Sequence, residues 1–195
     1  YIYNIFKNNN FEVIYIPNCI NFSYYKFKKR QIIRPRLIWL RSFHEIYNPK
    51  MAIDVFKIIS ASFCEAKLTM IGPDKDGSLN LCQMLSKKYG IEDNINFLGY
   101  LSKTEWIKIS RDHDIFINTS KIDNMPVSII EMMALGLPIV STDVGGIPFI
   151  LEHGKNSLLV KNNDEQNNFG RRWRCRHREH WRRWASCFFG RSVCH

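Results

Sequence analysis

Residues 120–154, SKIDNMPVSIIEMMALGLPIVSTDVGGIPFILEHG, set one acid just ahead of a helix and a second acid within it. Asp123 lies in the loop before Pro126, and proline suits a first helical position because its missing N–H would go unpaired there anyway. The free amides of the turn that follows make a positive helix end, ready for a diphosphate. Glu131 falls one to two turns into the helix. A carboxylate there accepts two hydrogen bonds from a vicinal diol such as that of a ribose, and Asp123 can accept from a sugar hydroxyl. The same spacing also fits a plainer role, in which Asp123 or Asn124 caps the helix and Glu131 sits on a solvated face.

Such a pair is useful only if the chain around it presents both acids at one rim. Strand and helix patterns alternate along the body, which predicts a parallel α/β sheet. Strands are expected at 11–18, 36–43, 66–73, 95–100, 114–120, 138–143 and 157–160. Between them, Asn48-Pro49 opens a helix carrying Ala52, Val55, Phe56, Ile59 and Phe63 at helical spacing, with Asn48 as N-cap. A second helix spans about 78–89 and stops at Gly90, and a third starts at Ser102 with Glu105 completing a capping box. Pro126 to Leu135 form a fourth helix stopped by Gly136, and 146–154 a short one. Right-handed crossovers then give a doubly wound, Rossmann-like sheet of about six strands. Ligands of such sheets bind beyond the carboxyl ends of the strands, here the loops 42–48, 72–77, 99–102, 120–125 and 143–147.

Composition narrows the rest. The formal net charge is +10, but residues 167–195 hold eight Arg and one acid and so account for +7 of it. The attraction for a polyanion therefore belongs to the tail, not to the body. No apolar run reaches the roughly 18 residues of a membrane-spanning helix. Cys19, Cys64 and Cys82 lack close spacing and fit a reducing compartment better than a disulfide framework. The start, YIYNIFKNNN, lacks the order of a signal peptide and an initiator Met, so the chain reads as beginning inside a longer protein. From about residue 167 the text changes: Lys, Ile and Leu vanish, while three of the five Trp occur there. A frame-shifted or chimeric end explains that abrupt change. The cluster Cys175, His177, His180, Cys187, Cys194 and His195 matches no common zinc spacing, and Arg interleaved with Trp suits non-specific single-strand binding.

Several stretches in order resemble one family. DNMPVSIIEMMALGLPIVSTDVGGIPFIL is similar to the E-x7-E segment, apolar strand and GG-x-x-E turn of the C-terminal nucleotide-sugar domain of retaining GT-B glycosyltransferases, family 4, group 1 type. VIYIPNCINFSYY resembles their IPNGID linker, LIWLRSFHEIYNP their GR-x4-KG phosphate loop, LTMIGP their L-x-I-x-G strand and INFLGYLS their V-x-F-x-G. The likeness covers about residues 11–165. It implies one half of a GT-B fold that binds a UDP- or GDP-linked sugar donor as substrate, with no separate cofactor and no metal. By position, Arg41 would pair the donor diphosphate and help the leaving group depart, Glu131 would bind the ribose, and Asp123 would contact the transferred sugar. Main-chain groups of Asn124, Met125, Pro126, Val127 and Ser128 would meet sugar and phosphates, and Gly72 and Gly99 with Leu98 and Tyr100 would line the base pocket.

The resemblance further implies a glycolipid or polysaccharide acceptor, held by an acceptor domain of which residues 1–30 are a remnant and linker. Residues 31–166 would be the donor domain and 167–195 the aberrant tail. Location would be cytoplasmic, with peripheral contact at the inner membrane face and no specific nucleic acid. An isolated donor half would show little transfer, because both walls of the cleft exclude water and orient the acceptor. A nucleotide-binding or interaction module without chemistry is the rival reading, and tail-led nucleic-acid binding a third. Three departures stand out: the first acid is Asp123 rather than Glu, no lysine occupies Ile46-Tyr47, and Phe149 replaces the acid of the glycine turn. Lys50 or Lys121 are candidate substitutes for that lysine. His44 is a candidate phosphate or sugar contact, or simply an exposed loop residue. His113, at a helix C-terminus, is expected to be structural and favoured as a cation.

Overall fold

The computed structural model describes residues 2–14 and 16–161. Six parallel strands, β1 (Arg36–Leu40), β2 (Lys67–Ile71), β3 (Ile95–Phe97), β4 (Ile115–Asn118), β5 (Ile139–Asp143) and β6 (Ser157–Lys161), form one sheet in the order β3-β2-β1-β4-β5-β6. The helices are α1 (Ile2–Asn8), α2 (Pro49–Ser60), α3 (Ser78–Tyr89), α4 (Lys103–Ser110) and α5 (Val127–Ala134). This is the Rossmann-like doubly wound arrangement expected from the alternating pattern, with β1 and β4 at the centre.

The core divides by strand parity, since successive side chains point to opposite faces. Leu37, Trp39, Leu68, Met70, Ile115 and Ile117 pack with Ile53, Phe56 and Ile59 of α2 and Cys82 of α3. Ile38, Ile71, Phe116 and Ile139 pack on the other face with Trp106 of α4 and Ile129 and Met132 of α5. Burial on both faces is why the strands read as continuous apolar runs rather than alternating ones.

Four expectations change. Residues 11–18 are not a strand: no ladder partner exists for them among the described residues, and Ile14 and Ile16 are exposed. Local β-propensity there is real, but a strand exists only where an edge is offered to it. Asn48 stands at the N-cap position of α2 yet makes no side-chain cap: its backbone is left-handed (φ 48°), and its side-chain amide donates instead to Met51 Sδ (3.6 Å). Phe63 lies past the end of α2 and is exposed. The capping box at Ser102 and Glu105 is formed, whereas 146–154 contain only a 3-10 turn at Ile147–Phe149. The zinc-like spacing and the Arg/Trp text of 167–195 lie outside the described residues.

The segment before β1 is a strap rather than a loose linker. Asn18 donates its side-chain amide to the Met125 carbonyl (3.0 Å), Tyr25 meets α5 at Glu131, and the Lys28 amide reaches the Leu135 carbonyl (3.3 Å). Residues 18–28 thus follow α5 from its start to its end. Arg30 closes the strap: it is buried and donates to the carbonyls of His113 (2.8 Å), Leu135 (2.9 Å) and Ser110 (3.3 Å). Those are carbonyls at or just past the ends of α4 and α5; the Ser110 carbonyl also accepts from the His113 amide (3.2 Å) and that of Leu135 from the Lys28 amide, so Arg30 adds a second donor at both.

Candidate functional site

β1 and β4 mark the point where the strand order reverses, and there the loops leaving them part to opposite sides. They share only the registered pairs Leu37–Ile115 and Ile38–Phe116, whereas β1 and β2 share five. Arg41 leaves the end of β1 and Asp123 follows β4. The sequence separates them by 82 positions, yet an Arg41 Nη2 to Asp123 Oδ2 ion pair joins them. The Arg41 guanidinium also lies over the Tyr47 ring, 4.7 Å from its centroid.

Glycines make these approaches possible. A Cβ on Gly72 would stand 1.8 Å from the Arg41 carbonyl oxygen, so only glycine lets β2 run this close beneath the Arg41 backbone. The Gly72 amide donates to the Gly99 carbonyl (2.8 Å), tying three loops together at the rim. On the other side, Cβ atoms on Gly145 and Gly146 would fall 2.0 Å and 1.6 Å from the carbonyl oxygens of Asp123 and Asn124. The Gly146 amide donates to the Asp123 carbonyl at 2.8 Å. The glycine pair therefore cradles the loop that carries the acid.

Asp123 is further held from the strand ends. Ser120 Oγ lies 3.3 Å from Asp123 Oδ2 and 3.1 Å from Asn118 Oδ1, one proton facing two acceptors. Asn118 donates to Ser141 Oγ (3.0 Å), and Thr142 Oγ1 donates to the Ser120 carbonyl (2.7 Å). A buried network with paired members is rigid, so it fixes where the carboxylate points.

Glu131 is 9% exposed, which removes the reading of it as a solvated face residue. Its Oε1 accepts from the Tyr25 hydroxyl (2.6 Å) and lies 3.2 Å from Lys103 Nζ. Asp123 and Asn124 do not cap α5 either, since no side chain caps that helix and Pro126 holds its N-cap position. In the first turn of α5 the Ile129 amide donates to the Pro126 carbonyl (3.1 Å), and the amides of Val127 and Ser128 have no partner among the described residues, as at an uncapped helix start. Burial pushes the Arg41 guanidinium pKa below its usual value, and Tyr47 and Glu131 act to raise it. Glu131 sits in the second turn of α5, the helix that follows the Asp123 loop beyond the carboxyl end of β4.

Two polar atoms at this rim are buried and have no partner among the described residues: Arg41 Nε and Ser128 Oγ. Such atoms are costly unless something else satisfies them. Met125 and Val127 flank the helix start, and the Met125 carbonyl is already engaged by Asn18. Neither candidate substitute for the phosphate-loop lysine is free for that task. Lys50 pairs with Asp54 (2.6 Å) and Lys121 with Glu45 (2.8 Å). The cation that the structure adds is Lys103, from the first position of α4. Sequence reasoning passed over it, because nothing local to Lys103 announces Glu131 as its neighbour. The capping box placed its helix start correctly, and the crossing of α4 and α5 did the rest. His44 is an exposed residue whose ring nitrogen accepts from the Ile46 amide (3.1 Å), so it serves its own turn. Among the described residues no group of three His, Cys, Asp or Glu side chains is arranged to hold a metal ion.

The family model for glycosyl transferases group 1 matches residues 27–172. The putative colanic acid biosynthesis glycosyltransferase WcaL of Salmonella typhimurium is 36% identical over 88 residues, 42% of this chain and 22% of that protein. The N-acetyl-alpha-D-glucosaminyl L-malate synthase of Bacillus anthracis is 30% identical over 132 residues, 66% of this chain and 32% of that protein. The chain thus spans about a third or less of the length of these two relatives. Among solved structures, Anabaena Alr3699/HepE in complex with UDP and glucose superposes with a TM-score of 0.68 at 18% identity, over 87% of this chain and 49% of that one. The C-terminal domain of the group 1 family protein LpcC from Francisella tularensis superposes with a TM-score of 0.63 at 18% identity, over 73% of this chain and 80% of that one. The fold is that of one half of a GT-B enzyme.

Proposed function

The chain belongs to the group 1 glycosyl transferases, and from that membership we propose that residues 31–161 bind a nucleotide-diphosphate sugar at the switch point between β1 and β4. The observation that carries this reading is the Arg41–Asp123 ion pair across the switch point, with Arg41 Nε buried and unpartnered among the described residues and Glu131 buried in the helix that follows the Asp123 loop.

Arg41 takes the diphosphate. The guanidinium, now neutralised by Asp123, turns toward phosphate oxygens and stabilises the charge that develops as the nucleoside diphosphate leaves. The amides of Val127 and Ser128 at the start of α5 add a positive end to the same oxygens. Pro126 cannot donate and therefore shapes the entry to that turn rather than binding. Asp123, released from Arg41, accepts from a hydroxyl of the transferred sugar, with Asn124 and Met125 presenting main-chain groups beside it. Glu131 accepts from the ribose diol. Gly72 and Gly99, joined by the hydrogen bond from the Gly72 amide to the Gly99 carbonyl, provide a side-chain-free wall for the base. Arg41 and the start of α5 supply the positive charge that favours departure, and Asp123 orients the sugar. Arg41 and Asp123 are the residues assigned to the reacting end.

UDP- or GDP-linked sugars fit this site, and UDP occupies the structural relative HepE. We assign the acceptor to the class of glycolipids and polysaccharides, in keeping with the colanic acid assignment of WcaL. It would be presented from a second domain across the crevice, at the cytoplasmic membrane face. No helix among the described residues is long and apolar enough to cross a membrane, so contact there would be peripheral.

Thermal-shift titration tests the donor assignment. UDP or GDP, or one of their sugar forms, should raise the unfolding midpoint of the native chain. Arg41→Ala and Glu131→Ala should each lose at least about tenfold in affinity, the scale of a hydrogen bond to a charged group. A midpoint indifferent to every nucleotide, or variants that bind as well as the native chain, would overturn the reading. Stabilisation without product, measured with an acceptor domain supplied, would leave a binding module in place of an enzyme.

A further inference from the structure

We propose that Tyr25 and Lys103 are positioning residues that hold Glu131 so that one carboxylate oxygen is occupied and the other is presented to the ribose. The inference rests on the donor-binding reading above and deepens it. Tyr25 belongs to the strap and Lys103 to α4, and both converge on Oε1 of Glu131, the first at 2.6 Å and the second at 3.2 Å. Oε2 has no hydrogen-bond partner among the described residues. The Lys103 ammonium is itself steadied over two rings, 5.1 Å from the Tyr25 centroid and 5.5 Å from that of Tyr24. Tyr25 in turn is buried, and its ring packs against Trp106 with centroids 6.4 Å apart.

A free glutamate on a helix rotates about three bonds, and binding a diol would have to order it. Here that ordering precedes the ligand. A hydroxyl and an ammonium on one oxygen restrict the carboxylate's rotation, and the two lone pairs of the remaining oxygen are left to accept from the diol. The two donors also compensate the desolvation of a carboxylate that is nine-tenths buried. The strap thereby does more than cover α5: its Tyr25 hydroxyl links the segment entering the domain to the ribose-binding carboxylate.

The experiment compares ligands that differ only in the diol. UDP, GDP and their 2′,3′-dideoxy counterparts are titrated calorimetrically against the native 195-residue chain, Tyr25→Phe, Lys103→Met and Glu131→Gln. Tyr25→Phe keeps the ring packing and removes only the hydroxyl. Tyr25→Phe and Lys103→Met should each weaken binding of the ribonucleotide by about tenfold, while binding of the dideoxy form changes less than about twofold. A purely structural role would weaken both ligands alike, and that result overturns the inference. If Glu131→Gln discriminates the two ligands but Tyr25→Phe and Lys103→Met do not, the ribose assignment stands and the positioning role is wrong. If Glu131→Gln fails to discriminate them, or neither nucleotide binds, the donor reading fails and takes the inference with it.

Discussion

Gly146 shows how much one residue decides. Its φ of −91° is open to any residue, so the requirement for glycine comes from space alone: a Cβ would lie 1.6 Å from the Asn124 carbonyl oxygen. Gly154 is the reverse, with φ +78° and nothing within 4 Å of the position a Cβ would take. Gly146→Ala should therefore push the acid loop from its seat and cost about 1–3 kcal/mol, as overpacking does. Gly154→Ala should cost about 1 kcal/mol of left-handed strain. Urea unfolding of the two variants checks the order, and donor titration checks the site: Gly146→Ala should lose donor affinity and Gly154→Ala should keep it. Equal affinities would separate the glycine pair from the site.

At the scale of elements, α4 carries a pH dependence. His113 follows its last turn, and burial pushes the imidazole pKa below its ordinary value. A cation favoured by the helix end was the expectation; desolvation outweighs the dipole, and the ring is held neutral. Nδ1 lies 2.9 Å from the Ile109 carbonyl, which can only accept, so Nδ1 carries the proton and Nε2 accepts from Thr69 Oγ1 at 2.8 Å. Asp112, Asp114 and Arg36 supply the nearby charges, the acids favouring protonation and Arg36 opposing it. The unfolded chain takes up a proton near about pH 6.5 and the folded chain does not. Stability is thus unaffected above that value and falls as pH drops below it, until the folded ring also titrates. The slope should approach about 1.4 kcal/mol per pH unit, and His113→Gln should flatten it. Denaturant titrations from about pH 7.5 down to about pH 5.5 measure this, and an unchanged slope in the variant would refute it.

The whole molecule can be followed through its thiols. Cys82 is fully buried between α3 and the sheet, and burial pushes its pKa up to about 12. Cys19 and Cys64 are exposed. Maleimide at about pH 8 should modify Cys19 and Cys64 promptly, while Cys82 reacts only when the domain opens globally, because the thiolate is the reactive form and both its formation and its access are blocked. Peptide mapping over time in increasing urea gives the test. Labelling of Cys82 as fast as Cys64 in native buffer would contradict a closed core. The same scale explains the strap. The segment reads from its sequence as a linker, and its Phe22 and Phe27 are exposed, yet Tyr25 and Arg30 are buried within it because α4 and α5 offer partners at those two points.

What the sequence determined by itself were the features that depend on near neighbours. Strand-helix alternation, the capping box at Ser102, the apolar runs of β1 and β4, and the ordered motifs through Gly145-Gly146 all rest on contacts within a few residues or on parity along a strand. They established the doubly wound class and singled out Asp123 and Glu131, whereas Arg41 came from the resemblance of LIWLRSFHEIYNP to a family phosphate loop. Tertiary structure alone decided whether a good strand-former such as residues 11–18 had an edge to join, that Lys103 rather than Lys50 or Lys121 faces the site, and that Tyr25 reaches Glu131 across 106 positions. Those outcomes depend on how helices cross and where loops part at the sheet's switch point. Propensity and spacing carry no term for that geometry, since it arises only when both faces of the sheet are buried at once.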